Sequence, residues 1–323
     1  MTTVTARAHT NIALIKYWGK RDAAQMLPAT SSVSMTLADF YTDTTVTFLA
    51  DQAADTFTLD GHPQPVPAKV TAVLTEIRRL AGWSRSAQVR SVNHVPTAAG
   101  LASSASAYAA LALAGSRAAG LALSPQALSR LARHGSGSAA RSIFGGLAIW
   151  HRGSGDSDSV AEPLPMPNLA LRMIVVVVSA AAKIISSTQA MANTAATSPF
   201  YPAWVATNEA AAQQMVAALA ASDFPRIGHL TEQSSMQMHA TMLAADPAFT
   251  YFQPATLRVW QLVQELRAAG VPAYATMDAG PNVKILTLAA HVDAIVAKLT
   301  PEFGQQLRVT GPGPAATVLE ERP

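Results

Sequence analysis

A chain of 323 residues, half of them hydrophobic and only 13% charged, is long enough for one large or two ordinary cores and too apolar to stay disordered. A net charge of +3, with Lys and Arg scattered, argues against a nucleic-acid partner despite a pI near 9.3, and zero cysteines exclude disulfides, thiolate metal sites and thiol nucleophiles. Residues 1–8 contain no apolar run of signal-peptide length and the most apolar stretch, residues 173–178, is far too short to span a bilayer, so a cytoplasmic protein is expected.

In chain order, residues 3–9, 12–17, 32–37 and 44–49 alternate polar and apolar residues or are β-rich, which predicts strands, and Asp60-Gly61 makes a turn. The pattern becomes helical over 68–80 and returns to a strand over 88–93. A loop of small residues, 96–104, leads into an Ala-rich helix reaching about Ala119. Ser124-Pro125 supplies an N-cap and a proline at the first helical position for a helix ending near Gly135. A second small-residue loop follows over 134–138, and Gly145-Gly146 introduces a strand through Trp150. Beyond a polar turn region at 151–158 and the apolar strand ending near Ser179, the chain reads mostly helical, with starts at Pro199 or Pro202, at Asp223 and at Pro254. Strands over 274–277 and 283–287 flank Asp278-Ala-Gly-Pro281, and a helix over 289–299 and a strand near 307–310 complete an α+β pattern. Two lobes are expected, residues 1–180 and 181–323.

Four stretches can carry chemistry. The loop 96–104 offers small residues where a backbone must approach a ligand and ends at a helix start, whose free N–H groups and dipole favour phosphate. Ser103 and Ser104 there can cap the helix, bind a phosphate oxygen or ligate Mg²⁺; the loop lacks the Gly-Lys-Ser/Thr ending of a P-loop, and small residues also serve close packing. The loop 135–141 repeats the device with Arg141 attached, a planar fork for carboxylate or phosphate or, alternatively, a surface ion-pair partner. Lys16, Lys20 and Arg21 gather beside Tyr17, Trp18 and Gly19, which suits a small anionic ligand. Asp278, before Ala-Gly-Pro, is either a turn former or a functional carboxylate.

Taken together, Asn11-Ile-Ala-Leu-Ile-Lys-Tyr-Trp-Gly-Lys-Arg21, Leu27-Pro28 with Ser31-Ser-Val-Ser34, Pro96-Thr-Ala-Ala-Gly-Leu-Ala-Ser-Ser-Ala105, Gly135-Ser-Gly-Ser-Ala-Ala-Arg-Ser142 with Phe144-Gly-Gly146, Ser186-Ser-Thr-Gln189 and Asp278-Ala-Gly-Pro-Asn282 resemble the mevalonate diphosphate decarboxylases. These belong to the superfamily of galactokinase, homoserine kinase, mevalonate kinase and phosphomevalonate kinase. The resemblance spans nearly the whole chain in the expected order. It implies the two-lobe α+β fold with a cleft between lobes, ATP as co-substrate with Mg²⁺, mevalonate 5-diphosphate as substrate and a homodimer. It also implies roles. Asp278 would face the tertiary hydroxyl, Arg141 would grip the carboxylate and Asn11 would orient Arg141. Lys16 and Lys20 would offset phosphate charge. Tyr17, Trp18, Gly19 and Lys20 would line the diphosphate end, joined by Lys69, Ser136, Gly137, Ser138, Ala139, Ala140, Ser187 and Thr197. Pro96, Ala98, Gly100, Leu101, Ser103 and Ser104 would serve ATP, the two serines also Mg²⁺. The alternative within the superfamily is an enzyme that only phosphorylates. No histidine pair has metal-ligand spacing with a third partner, and His239, between Met238 and Met242, reads as a packed, hydrogen-bonded core residue.

Overall fold

The computed structural model describes residues 2–94, 103–179, 181 and 185–322. The chain opens with β1 (Thr3–Ile15), the short pair β2 (Lys20–Asp22) and β3 (Leu27–Pro28), and the long β4 (Ser32–Leu49). Then come β5 (Thr56–Leu59), β6 (His62–Gln64), α1 (Ala68–Ala81), β7 (Ser86–His94), α2 (Ser103–Ala118), α3 (Pro125–Gly135), β8 (Leu147–Trp150) and β9 (Ala161–Leu164). The second half holds β10 (Leu171–Val176), α4 (Ser187–Thr197), α5 (Tyr201–Ala220), α6 (Phe224–Leu243), α7 (Pro254–Ala268), β11 (Tyr274–Met277), β12 (Val283–Leu288), α8 (Val292–Phe303), β13 (Leu307–Thr310) and β14 (Thr317–Arg322).

The first sheet runs β14-β1-β4-β7-β5-β6, and β8 and β9 extend it from β4. One long strand replaces the two expected over 32–49 because β4 serves two partners. Its first residues pair with β8 (Ser32 with Trp150) and its later ones with β7 (Tyr41 with His94), while β1 runs along its other edge. β1 likewise merges two expected strands. Its register against β4 shifts between His9 and Asn11 and again between Ala13 and Ile15, and irregularities of this kind bend a strand and re-aim its side chains. Burial in β1 alternates only up to Arg7; beyond it every residue is buried, since both faces are then covered.

The second sheet, β11-β12-β10-β13, carries α7 and α8 on a separate core that includes Ile174, Val263, Ile285 and Leu299. β10, ahead of the expected cut after residue 180, pairs with β12 and β13 and belongs to the second sheet, while β14, at the far end of the chain, pairs with β1 in the first. Between the sheets lies a third core in which Ile12, Leu14, Val33 and Met35 pack with Met173, Val175, Met215 and Ile227. Among the described residues no helix is long and apolar enough to cross a membrane.

Candidate active site

The end of β1 delivers the site's first elements. Asn11 sits just past the register shift, and its Nδ2 donates to the Ser138 carbonyl (3.0 Å) and the Ser142 hydroxyl (2.8 Å). Its Oδ1 accepts from Nε (3.3 Å) and Nη2 (3.2 Å) of Arg141, whose Nη1 donates to the Ser32 hydroxyl at 2.5 Å. Arg141 is only 2% exposed and, among the described residues, no carboxylate lies within ion-pair distance. The contrast with Arg133 is instructive: that guanidinium is equally buried but ion-paired with Asp156. A buried cation held only by neutral acceptors is costly unless an anion arrives to complete it. Burial pushes the Arg141 guanidinium down to about 10, with Asp278 and Tyr17 pulling the other way.

Asp278 follows the last residue of β11, in a turn where Gly280 N donates back to its carbonyl (2.7 Å). Its Oδ1 meets Lys16 Nζ at 2.5 Å and its Oδ2 lies 3.2 Å from Lys284 Nζ; both lysines are essentially inaccessible while the carboxylate keeps 24% exposure on the cleft side. Burial alone would raise the Asp278 carboxyl, yet the two ammonium groups hold it well below the usual carboxylate range. Lys16 is pushed down by the same burial, against the pull of Asp278.

The cleft that these groups face is also lined by Tyr17, Trp18, Lys20, Lys69, Ser104, Ser136, Gly137, Ser138 and Ser187. Lys20 and Lys69 approach closely enough that, after burial, repulsion from Lys69 also lowers Lys20, and among the described residues neither has a carboxylate partner. The buried Tyr17 hydroxyl is unpartnered among the described groups, and its ring meets Trp150 edge-on at 4.9 Å. Gly137 makes that packing possible, because a Cβ there would lie 2.8 Å from both Tyr17 and Trp150. Gly19, at φ +91°, is required by its backbone and by Tyr201, whose hydroxyl would lie 1.7 Å from a Cβ and instead donates to the Trp18 carbonyl. Ser187 is the first residue of α4, which Ser186 caps by accepting from Gln189 N. At the cleft's other end Ser104 borders a second, mostly apolar cavity walled by Phe57, Leu59, Val70, Val89, Tyr108 and Leu111, with Ser103 on its rim.

Several expected site residues fall elsewhere. Thr197 ends α4 on the exposed side, where its hydroxyl donates to the Asn193 carbonyl and accepts from Asp246 N; it ties the helix end to the 246 loop and lines neither this cleft nor the apolar cavity. Ala139 and Ala140 are fully buried in the core of the first lobe and do not line the cleft. Gly19 shapes the Lys16–Lys20 segment without lining the cleft. Pro96, Ala98, Gly100 and Leu101 lie outside the described residues. His239 is packed on Phe252 with ring centroids 4.3 Å apart, but its ring nitrogens make no hydrogen bond of ordinary geometry, and burial drives it down to about 3, so it stays neutral.

Comparison with known proteins decides the family. Residues 8–161 match the model of the diphosphomevalonate decarboxylase-like N-terminal domain, and residues 173–312 match that of the mevalonate 5-diphosphate decarboxylase C-terminal domain. The diphosphomevalonate decarboxylase of Rattus norvegicus is 38% identical over 327 residues, covering 93% of this chain and 80% of the relative. This chain belongs to the mevalonate diphosphate decarboxylase family. The phosphomevalonate decarboxylase of Haloferax volcanii is 33% identical, covering 98% of each chain. A solved structure of MDDEF in complex with MVAPP, AMPPCP and magnesium superposes with a TM-score of 0.95 at 46% identity, covering 99% of this chain and 100% of that one. The two family models part between residues 161 and 173, ahead of β10, as the sheets do. Behind the cleft wall, fully buried and 3.2 Å from the Asp278 carboxylate, stands Lys284, which sequence reasoning missed. A charged residue inside the apolar run Val283-Lys-Ile-Leu-Thr-Leu288 was the signal, because a lysine is almost never fully buried without a paired charge.

Proposed function

We propose that this protein decarboxylates mevalonate 5-diphosphate at the expense of ATP, giving isopentenyl diphosphate, ADP, phosphate and CO₂. One observation carries the reading: a single cleft is lined by the buried fork of Arg141 and by an anionic Asp278, and also by Lys20 and Lys69, and among the described residues Arg141, Lys20 and Lys69 have no carboxylate partner. An acid with a phosphorylated tail, positioned by Arg141 at one end and the lysines at the other, presents its hydroxyl to Asp278.

In this reading the hydroxyl oxygen attacks the γ-phosphorus of ATP and ADP departs. That oxygen now carries the phosphoryl group; the bond from the tertiary carbon to it then breaks, the phosphate leaves with the electron pair, and the bond to the carboxylate carbon supplies the electrons of the new double bond as CO₂ is released. Asp278, paired with two lysines, is a weak base, and in a loose phosphoryl transfer the hydroxyl proton leaves late, passing to an oxygen of the transferred phosphoryl group. Its role is to orient the hydroxyl and oppose the positive charge that develops at the tertiary carbon. Arg141 keeps the carboxylate in line with the breaking C–O bond.

Ser103 and Ser104 stand between the two cavities, at the start of α2, which suits ATP with its base in the apolar cavity and its phosphates at the helix start. Among the described residues no cluster of three His, Cys, Asp or Glu could hold a metal. A Mg²⁺ carried on phosphate oxygens fits that donor set, since this ion is bound through few protein ligands. The two serines would hold it, and when bound it would neutralise charge on the transferring phosphoryl group. Replacing both serines by Ala is expected to raise KM for Mg·ATP or lower kcat while substrate binding without nucleotide is retained; unchanged ATP kinetics would return them to helix capping alone.

The two lysines favour a diphosphate over the monophosphate that the Haloferax relative's name indicates. Incubation with each phosphorylated acid, ATP and Mg²⁺, with ADP and CO₂ measured together, tests both points. Equal ADP and CO₂ from the diphosphate is the expected result; ADP without CO₂ leaves a kinase, and faster turnover of the monophosphate reassigns the substrate. A cytoplasmic homodimer is part of this proposal by family resemblance, and sedimentation of the purified protein checks the dimer.

A further inference from the structure

Helix α6 carries two adjacent serines, Ser234 and Ser235, which are 1% and 0% exposed and line neither cavity. A hydroxyl inside a helix usually folds back on the preceding turn, as that of Thr231 does on the Ile227 carbonyl (2.8 Å). These two instead bond to main chain from two different lobes. Ser234 Oγ accepts from Lys16 N (3.0 Å) and donates to Asn208 Oδ1 (2.9 Å), while Asn208 Nδ2 returns to the Lys16 carbonyl (2.9 Å). Ser235 Oγ accepts from Met277 N (2.8 Å) and donates to the Met277 carbonyl (3.0 Å), one residue before Asp278. Successive helical side chains point about 100° apart, so one turn of α6 can reach both segments. Lys16 lies just beyond the last residue of β1, and Met277 ends β11, the edge strand of its sheet. Their main-chain groups therefore lack strand partners on that side, and serines supply them.

We propose that Ser234 and Ser235, with Asn208, are positioning residues that set the distance between Lys16 and Asp278 and thereby the aim of the carboxylate at the substrate hydroxyl. The inference rests on the role assigned to Asp278 above. None of the three residues lines the cleft; Ser234 and Asn208 act through the main chain of Lys16, and Ser235 through that of Met277, the residue before Asp278. A contact of 2.5 Å between Lys16 and Asp278 leaves little slack, and a misplacement of about 1 Å at a reacting group can cost on the order of 10²-fold in rate.

The test uses the full chain with Ser235→Ala and Ser234→Ala, each made alone and in the Asp278→Asn background, with kcat measured by release of labelled CO₂. Ser235→Ala is expected to lower kcat by roughly 10 to 100-fold with KM for both substrates nearly unchanged. In the Asp278→Asn background it should cause no further loss, because groups that act as one unit are not additive. Ser234→Ala should show the same pattern from the other end of the pair, and it carries the test should Ser235→Ala fold poorly. A loss of thermal stability with kcat per folded enzyme unchanged would overturn the proposal, as would losses that multiply in the double variant. Wild-type turnover by Asp278→Asn alone would instead sink the role given to Asp278.

Discussion

Asp278→Asn should lower kcat by on the order of 10² to 10⁴-fold, the range of positioned acid-base and orienting groups. ADP and CO₂ should fall together, since phosphorylation precedes fragmentation. Binding of the phosphorylated acid and of ATP should hold or tighten, because the substitution removes a negative charge that faces Lys16, Lys284 and Arg141. The same substitution removes the negative charge that faces two buried ammonium groups, so a drop in Tm is expected as well, and turnover must be expressed per folded, ligand-binding enzyme. Wild-type phosphorylation without CO₂ release would place Asp278 after the first step. The pH dependence follows by sign. The folded carboxyl lies well below its unfolded value of about 4, so Asp278 stays ionised as pH falls through 4 and contributes no acid limb to kcat there. The stability it contributes is present above that unfolded value and is lost only as pH falls through the lower folded one.

The second large effect is expected at Arg141. Hydrogen bonds to charged groups contribute roughly 1.5–3 kcal/mol each, and losing a two-pronged grip of about 3 kcal/mol or more corresponds to on the order of 10²-fold in kcat/KM for Arg141→Gln. The sign on stability should be opposite to that at Asp278. The guanidinium is buried without a compensating anion among the described residues, so replacing it with a neutral amide relieves desolvation and Tm should stay level or rise. Arg141→Lys keeps the charge and loses the planar fork, and should fall between. Activity and Tm both equal to wild type in Arg141→Gln would make Arg141 an ordinary buried cation.

Local chemistry was legible in the sequence where one short segment contains the whole signal. Ser124-Pro125 caps α3 as its residues predict, and the small residues after Gly135 lead into a short 3-10 helix, Gly137–Ile143, that presents Arg141. Asp278 stands at the turn after a short strand, as its flanking residues suggested. What could not be read locally depends on partners distant in sequence. β1 and β4 appeared as broken strands because a bulge resembles a break until the pairing strand is known. α4 has no strong apolar face to announce it, and β14 is exposed along most of its length and finds its place only against β1. The same limit hid Ser234, Ser235 and Asn208. Polar residues in a helix give no sign that they bind main chain 42 to 218 residues away.

The apolar seam between the two sheets has a practical consequence. Ile12, Val33 and Met35 on one side and Met173, Val175 and Ile227 on the other are completely shielded only because each side covers the other. Severing the chain ahead of β10 would give two fragments with matching greasy faces. Each expressed alone should precipitate or recruit chaperones, whereas the two produced in one cell should find each other and reassemble the cleft. The halves are thus recognisable as units of descent without being units of folding.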